Sequence, residues 1–169
     1  FEGGTQPPKS TFIDQPKKGY IRLLQIRDYK DDDKAVYIPT TERHKTCTKS
    51  DVMIGRYGPP VFQILKGKDG AYNVALIKCV PDRTKLNDEW LYYFLSSSPI
   101  QKRIISLSQR VRQSGVRPDD LNELEIPLPP LEIQKQLVAE AEKEQEIINS
   151  NKQLIEIYEK KISDVLSEI

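Results

Sequence analysis

The sequence predicts an α+β fold: a small twisted mixed β-sheet with a few helices over residues 1–128, then a long coiled-coil helix over 129–169. Three observations predict it. Short runs of β-branched and aromatic residues, bounded by Gly, Pro and Asp, mark five or so strands. They do not alternate regularly with helical stretches, so a doubly wound sheet is not expected. After Pro130 there is neither proline nor glycine, and apolar residues recur at alternating steps of four and three.

Residues 1–18 are rich in turn formers (Gly3-Gly4, Pro7-Pro8, Pro16) and read as a loop. Tyr20 to Ile26 reads as a strand. The run Asp28 to Lys34 (DYKDDDK) stands between it and a second strand, 35–38, so a hairpin turn is expected there. Residues 39–50 are polar. Strands are expected at 51–57, at 60–66 and, as one long element, at 71–80 (AYNVALIKCV). Asn87-Asp88-Glu89 is a helix-capping sequence for a helix whose apolar residues are Trp90, Leu91, Tyr93, Phe94 and Leu95. Ser98-Pro99 punctuates, and a second helix carries Ile100, Ile104, Ile105 and Leu107. A basic loop with one glycine, RVRQSGVRP, spans 110–118. A short turn at 119–121 and an extended segment at 124–129 lead to the last helix.

In that helix Ala141, Ile148, Ile155, Ile162 and Ile169 fall at heptad position a. Leu137, Glu144, Asn151, Tyr158 and Val165 fall at d, and Ile147 and Leu154 at g widen the stripe. A 3.5-residue repeat keeps such a seam facing a partner helix, and a polar Asn151 in it sets register at some cost in stability. The partner is expected in a second copy or in another part of a larger chain; folding back on its own domain is the plainer alternative.

The chain has 169 residues, 37% of them hydrophobic and 30% charged. No apolar run approaches a membrane span and no signal-peptide pattern opens it, although Phe1 in place of Met fits a fragment or processed chain. Cys47 and Cys79 lack metal-site spacing, and a reducing, cytoplasmic setting is expected. The net charge of +1 is unevenly placed. Residues 1–128 hold 21 Lys/Arg against 16 Asp/Glu, whereas 129–169 hold 5 against 9. A basic globular part on an acidic helix suits a nucleic-acid reader with a protein-binding stalk.

Catalysis has little to stand on. His44 is the one histidine, which argues against histidine metal sites and leaves any triad to a residue in a polar loop. There is no phosphate-cradling G-x-x-x-x-G-K-[ST], and Gly55-Arg56-Tyr57-Gly58 reads as a turn between strands. Glu159-Lys160-Lys161 lies on the long helix as a solvated face, and Asp31-Asp32-Asp33 does not make a closed cation shell. A non-catalytic chain with no metal or cofactor of its own is expected.

The loops instead carry DNA-reading donors: Lys9 and Ser10; Arg43, His44 and Lys45; Arg56 and Tyr57; Arg110, Arg112, Gln113 and Arg117. Arg grips guanine O6 and N7 with two hydrogen bonds, Gln does the same for adenine N6 and N7, and Lys and Ser more often hold phosphates.

Several runs carry a family likeness: Gly3-Gly4-Thr5-Gln6-Pro7, Ile26-Arg27-Asp28, Asp51-Val52-Met53-Ile54, Ala71-Tyr72-Asn73, Gln113-Ser114-Gly115, and the stretch from Ile126 to Gln136, IPLPPLEIQKQ. Together they resemble one half of the DNA-specificity subunit of type I restriction–modification systems, a single target recognition domain (1–128) with one conserved spacer helix (129–169). The resemblance implies sequence-specific binding of double-stranded DNA, with each of two halves reading one part of a bipartite target. It implies that spacer helices pair antiparallel, with a second copy or the other half. It further implies docking to methyltransferase (M) subunits that use S-adenosylmethionine, joined by an ATP- and Mg-using restriction (R) subunit. This chain has one domain and one spacer where the family's usual chain has two of each. A recognition part of a single-chain fused enzyme, or a coiled-coil adaptor with no DNA role, are the alternatives.

Overall fold

A computed structural model describes residues 1–57, 62–109 and 115–167. Two compact units are present, Phe1–Leu128 and Pro129–Ile169.

Among the described residues, the first unit has eight short strands: β1 (Glu2–Gly3), β2 (Tyr20–Leu24), β3 (Val36–Pro39), β4 (Thr46–Cys47), β5 (Val52–Gly55), β6 (Ile64–Lys66), β7 (Gly70–Tyr72) and β8 (Leu76–Lys78). They form two four-stranded sheets rather than the single one expected. One, in the order β1-β8-β5-β6, is antiparallel throughout. The other, β3-β2-β7-β4, is mixed, with β2 and β7 parallel. Helices α1 (Asp88–Ser96), α2 (Ser98–Gln109) and α3 (Pro118–Leu121) follow. The α+β class is as the sequence predicts.

Side chains alternate faces along a strand, and here the alternation sorts them into layers. Val52 and Ile54 of β5, with Ile77 of β8, face a core built from Leu91 and Leu95 of α1, Ile104 of α2, Val116 and Leu121. Met53 and Leu76, on the opposite face of the same sheet, meet Leu24, Cys47 and Tyr72 of the other sheet. Leu23, Ile38 and Ala71 point the other way again, toward Phe12 and Val36. A strand buried on both faces has no polar side to show, which is why β5 reads as a continuous apolar run.

The stretch 71–80 is two strands, not one. Asn73 breaks it: its Oδ1 accepts from Ala75 N at 3.0 Å, its carbonyl accepts from Leu76 N at 3.0 Å, and the chain crosses from one sheet to the other. Thr46–Cys47 pairs with β7 inside the stretch expected to be a polar loop. The first eighteen residues are tied down by β1, by a 3-10 turn at Lys9–Thr11, and by the Ile13–Tyr37 bridge. The acidic run 28–34 does connect a hairpin, β2 to β3, through two 3-10 turns. Asp28 is buried and its Oδ2 accepts from Gln25 N at 2.8 Å. Asp32 lies between Arg22 (2.6 Å) and Lys68 (2.8 Å).

Asn87 caps α1 as expected, its Oδ1 accepting from Trp90 N at 3.0 Å. Pro99 falls in the first turn of α2, where its missing N–H costs nothing. Gln101 is buried but satisfied at both ends, accepting from Phe62 N (3.1 Å) and donating to Leu95 O (2.9 Å). Both cysteines are free and buried. Burial pushes the Cys47 thiol up to about 11 and the Cys79 thiol up to about 12.

The second unit is one helix, α4 (Leu131–Ser167), of 37 residues and about 55 Å. Pro129-Pro130 precede it, and Gln134 Nε2 donates back to Pro129 O at 2.7 Å. Its polar face carries helical-spacing pairs such as Gln136–Glu140 and Gln145–Asn149, both at 3.0 Å. The heptad seam is exposed: Leu137 at 38%, Ile148 at 46%, Ile155 and Tyr158 at 56%, Ile162 and Val165 at 60%. Ala141 is half-buried and Asn151 exposed; Ile169 lies outside the described residues.

Candidate nucleic-acid interface

The expected loop donors gather in two places on the first unit. In the first, the 3-10 turn carries Lys9 and Ser10, both exposed. Thr11 closes that turn by donating its hydroxyl to Pro8 O at 2.7 Å. Beside it lies the segment after β3, with Arg43 exposed and His44 half-buried. Thr5, Gln6, Pro7, Pro8 and Thr11 on one side, and Pro39, Thr41, Arg43 and His44 on the other, line one depression of about 360 Å³. No carboxylate lines it. Two polar atoms among its lining residues, Thr5 Oγ1 and His44 Nδ1, are buried without a hydrogen-bond partner.

Lys45 does not join that group. Its ammonium is 2.6 Å from Glu2 Oε1, and Glu2 also receives the Tyr72 hydroxyl at 3.1 Å and has Lys78 at 3.8 Å. The Lys45 hydrogen bond holds the Glu2 carboxyl below its ordinary range despite some burial, with Tyr72 and Lys78 helping. Burial and the neighbouring Glu2 push the Tyr72 hydroxyl up. Because Glu2 lies on β1 of one sheet and Tyr72 on β7 of the other, this cluster ties the sheets together. Lys45 therefore has a structural partner that the sequence did not reveal.

In the second place, Arg56 and Tyr57 meet the segment 115–117. Arg56 N donates to Ala75 O at 2.8 Å, and Arg56 O accepts from Val116 N at 3.2 Å. The Arg56 guanidinium stands 5.5 Å from the Tyr57 ring centre, and Tyr57 is 45% exposed. Arg117 is engaged locally. Its backbone N–H donates to Asp120 Oδ2 at 3.0 Å, and its guanidinium reaches Asp120 at 3.3 Å through Nε and 3.2 Å through Nη2. That closes the first turn of α3, and the Arg117 hydrogen bond holds the Asp120 carboxyl low, with a smaller contribution from the Arg56 charge. Arg110, Arg112 and Gln113 lie outside the described residues.

The likeness runs noted in the sequence fall largely on scaffold. A methyl at Gly4 would sit 2.2 Å from Asn73 O and 2.5 Å from Tyr72 O. Gly4 N and Thr5 N donate to Leu76 O and Tyr72 O, both at 3.1 Å, so the GGT and AYN runs are two sides of one contact. Thr5, absent from the expected site residues, lines the first depression; its place in the GGTQP run was the available signal. Among the described residues no group of three or more His, Cys, Asp or Glu is placed to hold a metal ion, and no helix is long and apolar enough to cross a membrane.

Comparison with known proteins agrees with this architecture. The specificity subunit of the type I restriction enzyme MjaVIII from Methanocaldococcus jannaschii is 23% identical over 131 residues, 76% of this chain and 30% of that protein. A chain from a structural study of complex assembly and conformational transition of the type I R-M system superposes with a TM-score of 0.68 at 21% identity, covering 89% of this chain and 36% of that one. The crystal structure of the HsdS subunit from Thermoanaerobacter tengcongensis gives a TM-score of 0.60 at 19% identity, covering 80% and 38%. The chain thus spans about a third of the length of each of these relatives. The family described as "type I restriction modification DNA specificity domain" matches residues 1–159, and the chain belongs to that family.

Proposed function

We propose that this chain reads DNA sequence as the specificity component of a type I restriction–modification assembly, its globular unit binding one part of a bipartite duplex target. The family match over residues 1–159 carries this reading. The two loop clusters support it: the first depression has Arg43 and His44 on its wall and no acid, and the second joins Arg56 and Tyr57 to the segment that follows Arg110, Arg112 and Gln113. In this reading Lys9, Ser10, Arg43 and His44 hold the backbone. Arg56, Arg110, Arg112 and Gln113 read base edges, with the Tyr57 ring packed beside the Arg56 guanidinium. Lys45 and Arg117, each paired to a carboxylate, add to the field more than to direct contact.

The exposed seam of α4 serves as the spacer surface that pairs with a second copy or with the other half of a longer subunit. Methyltransferase subunits carrying S-adenosylmethionine, and an ATP- and Mg-dependent restriction subunit, are the partners that supply chemistry in the cytoplasm. This chain brings neither catalysis nor cofactor.

Selection of bound duplexes from a randomised pool, followed by anisotropy titrations over a range of salt, tests the reading. An enriched sequence bound with a steep salt dependence, about 0.9 in log–log slope per phosphate neutralised, is expected. Binding that enriches nothing would leave the adaptor alternative standing. Sedimentation equilibrium of the chain and of a version ending at Leu131 tests the spacer: a dimer that becomes a monomer is expected.

A further inference from the structure

Gly115 is the residue on which the second loop cluster turns. Its φ is +135°, a conformation that side-chain-bearing residues rarely adopt. A methyl there would lie 2.9 Å from Cδ1 and Cε1 of Tyr57 and 3.0 Å from Arg56 O. The missing Cβ therefore lets the backbone at 115 lie against the edge of the Tyr57 ring. The next residue fixes the approach, since Val116 N donates to Arg56 O at 3.2 Å and the Val116 side chain is fully buried in the helix-side core. Tyr57 also has the Arg56 guanidinium 5.5 Å from its ring centre, and Arg56 N is fastened to Ala75 O at 2.8 Å. Arg117 then enters α3 through its fork on Asp120. A contiguous set of contacts thus runs from the turn before β8, through Arg56 and Tyr57, into residues 115–117 at the start of α3.

We propose that the Tyr57–Gly115 contact is a positioning joint for sequence readout: Tyr57 and Gly115 act by holding Arg56 in place against Val116, not by touching bases themselves. The inference rests on the DNA-reading function proposed above and assigns a role within it. Gly115 has no side chain to offer DNA. Its loss acts only through the position of its neighbours. Tyr57, although exposed enough to meet DNA, owes its effect to the ring edge that Gly115 leans on. The phenolic hydroxyl is dispensable.

The test uses the full chain and the duplex it enriches from a randomised pool, alongside a scrambled duplex, at one fixed salt concentration. The quantity read is the ratio of the two affinities in Tyr57→Phe, Tyr57→Ala, Gly115→Ala and the double variant Tyr57→Ala/Gly115→Ala. Tyr57→Phe is expected to keep the ratio within about twofold of wild type. Tyr57→Ala and Gly115→Ala are each expected to lower it by about tenfold or more, the scale of one lost base contact, with scrambled-duplex binding nearly unchanged. The double variant is expected to be no worse than the poorer single one, because both remove the same joint. Hydrogen exchange supplies a readout without DNA: the Val116 amide is expected to lose protection in Tyr57→Ala and Gly115→Ala while the amides of Ile54 and Ile77 keep theirs.

Should Gly115→Ala fail to fold, Tyr57→Ala carries the decision, since it opens space without straining the backbone. An unchanged ratio in Tyr57→Ala, or losses in the two single variants that simply multiply in the double one, would overturn the proposal. A wild-type chain that enriches no sequence would instead sink the function it rests on, and a Val116 amide that stays protected in both variants would remove the joint independently of DNA.

Discussion

The globular unit and the long helix spend their apolar residues in opposite ways. In residues 1–128 the β5, β7 and β8 side chains Met53, Ile54, Tyr72, Leu76 and Ile77 are fully buried, divided between faces by strand alternation. In α4 the seam from Ile148 to Val165 is about half exposed or more. Both patterns are regular, one at a period of two and the other at 3.5, so neither is accidental. What differs is where the complement lies. The strands find theirs within their own unit. The helix presents an exposed apolar stripe, interrupted at Asn151, of the kind that marks an interaction surface.

The sharpest way to break this contrast is to remove one isoleucine from each unit. Ile54→Ala is expected to cost about 2–5 kcal/mol in chemical denaturation. Ile155→Ala, at a site 56% exposed, is expected to change the unfolding of the globular unit by less than about 0.5 kcal/mol while weakening self-association in sedimentation. Equal costs at the two sites would erase the distinction.

Within the globular unit, Gly4→Ala tests the close approach to residues 72–73 and is expected to cost about 1–3 kcal/mol in the same measurement. The double layer also has a pH signature. Burial pushes the Asp51 carboxyl up, but Thr48 N–H (2.7 Å), Arg83 (2.7 Å) and the Thr48 hydroxyl (3.1 Å) outweigh it and hold it below its ordinary range. A lowered carboxylate contributes stability that is present above its ordinary pKa and is lost as pH falls through the lowered one. Asp51→Asn is therefore expected to cost about 1–3 kcal/mol at neutral pH, with the deficit shrinking in acid. Asp28 runs the other way: burial raises its carboxyl, so its contribution is greatest in acid and declines as pH climbs through the raised value. The smallest effect is expected at Arg117. Arg117→Ala should leave the salt slope of DNA binding near wild type, whereas Arg43→Ala should lower it by about 0.9. A full unit lost at Arg117 would show that its fork on Asp120 opens to meet a phosphate.

Local chemistry made much of this legible in the sequence. The Asn87 cap, Pro99 in the first turn of α2 and the heptads of α4 depend on residues a turn or two apart. The sequence reads as one strand over 71–80 because Tyr72, Val74, Ile77 and Val80 favour strands. The corrective signal was Asn73, whose side chain competes for backbone hydrogen bonds and makes the turn. Nothing local announces that Lys45 meets Glu2 across 43 residues, which depends on how the two sheets stack, or that Gly115 meets Tyr57, which depends on how the segment before α3 returns to the end of β5. The site was therefore readable as a set of donors but not as two clusters with some donors already engaged.

The two buried thiols turn this architecture into its own reporter. Cys47 sits between the sheets and Cys79 between a sheet and the helices. With both thiols pushed above the ordinary range, neither is poised to alkylate while its layer stays closed. Pulse-labelling with a thiol reagent, read peptide by peptide, would time the opening of each layer separately. A third cysteine placed on the exposed face of α4 could carry a dye without either native thiol being replaced.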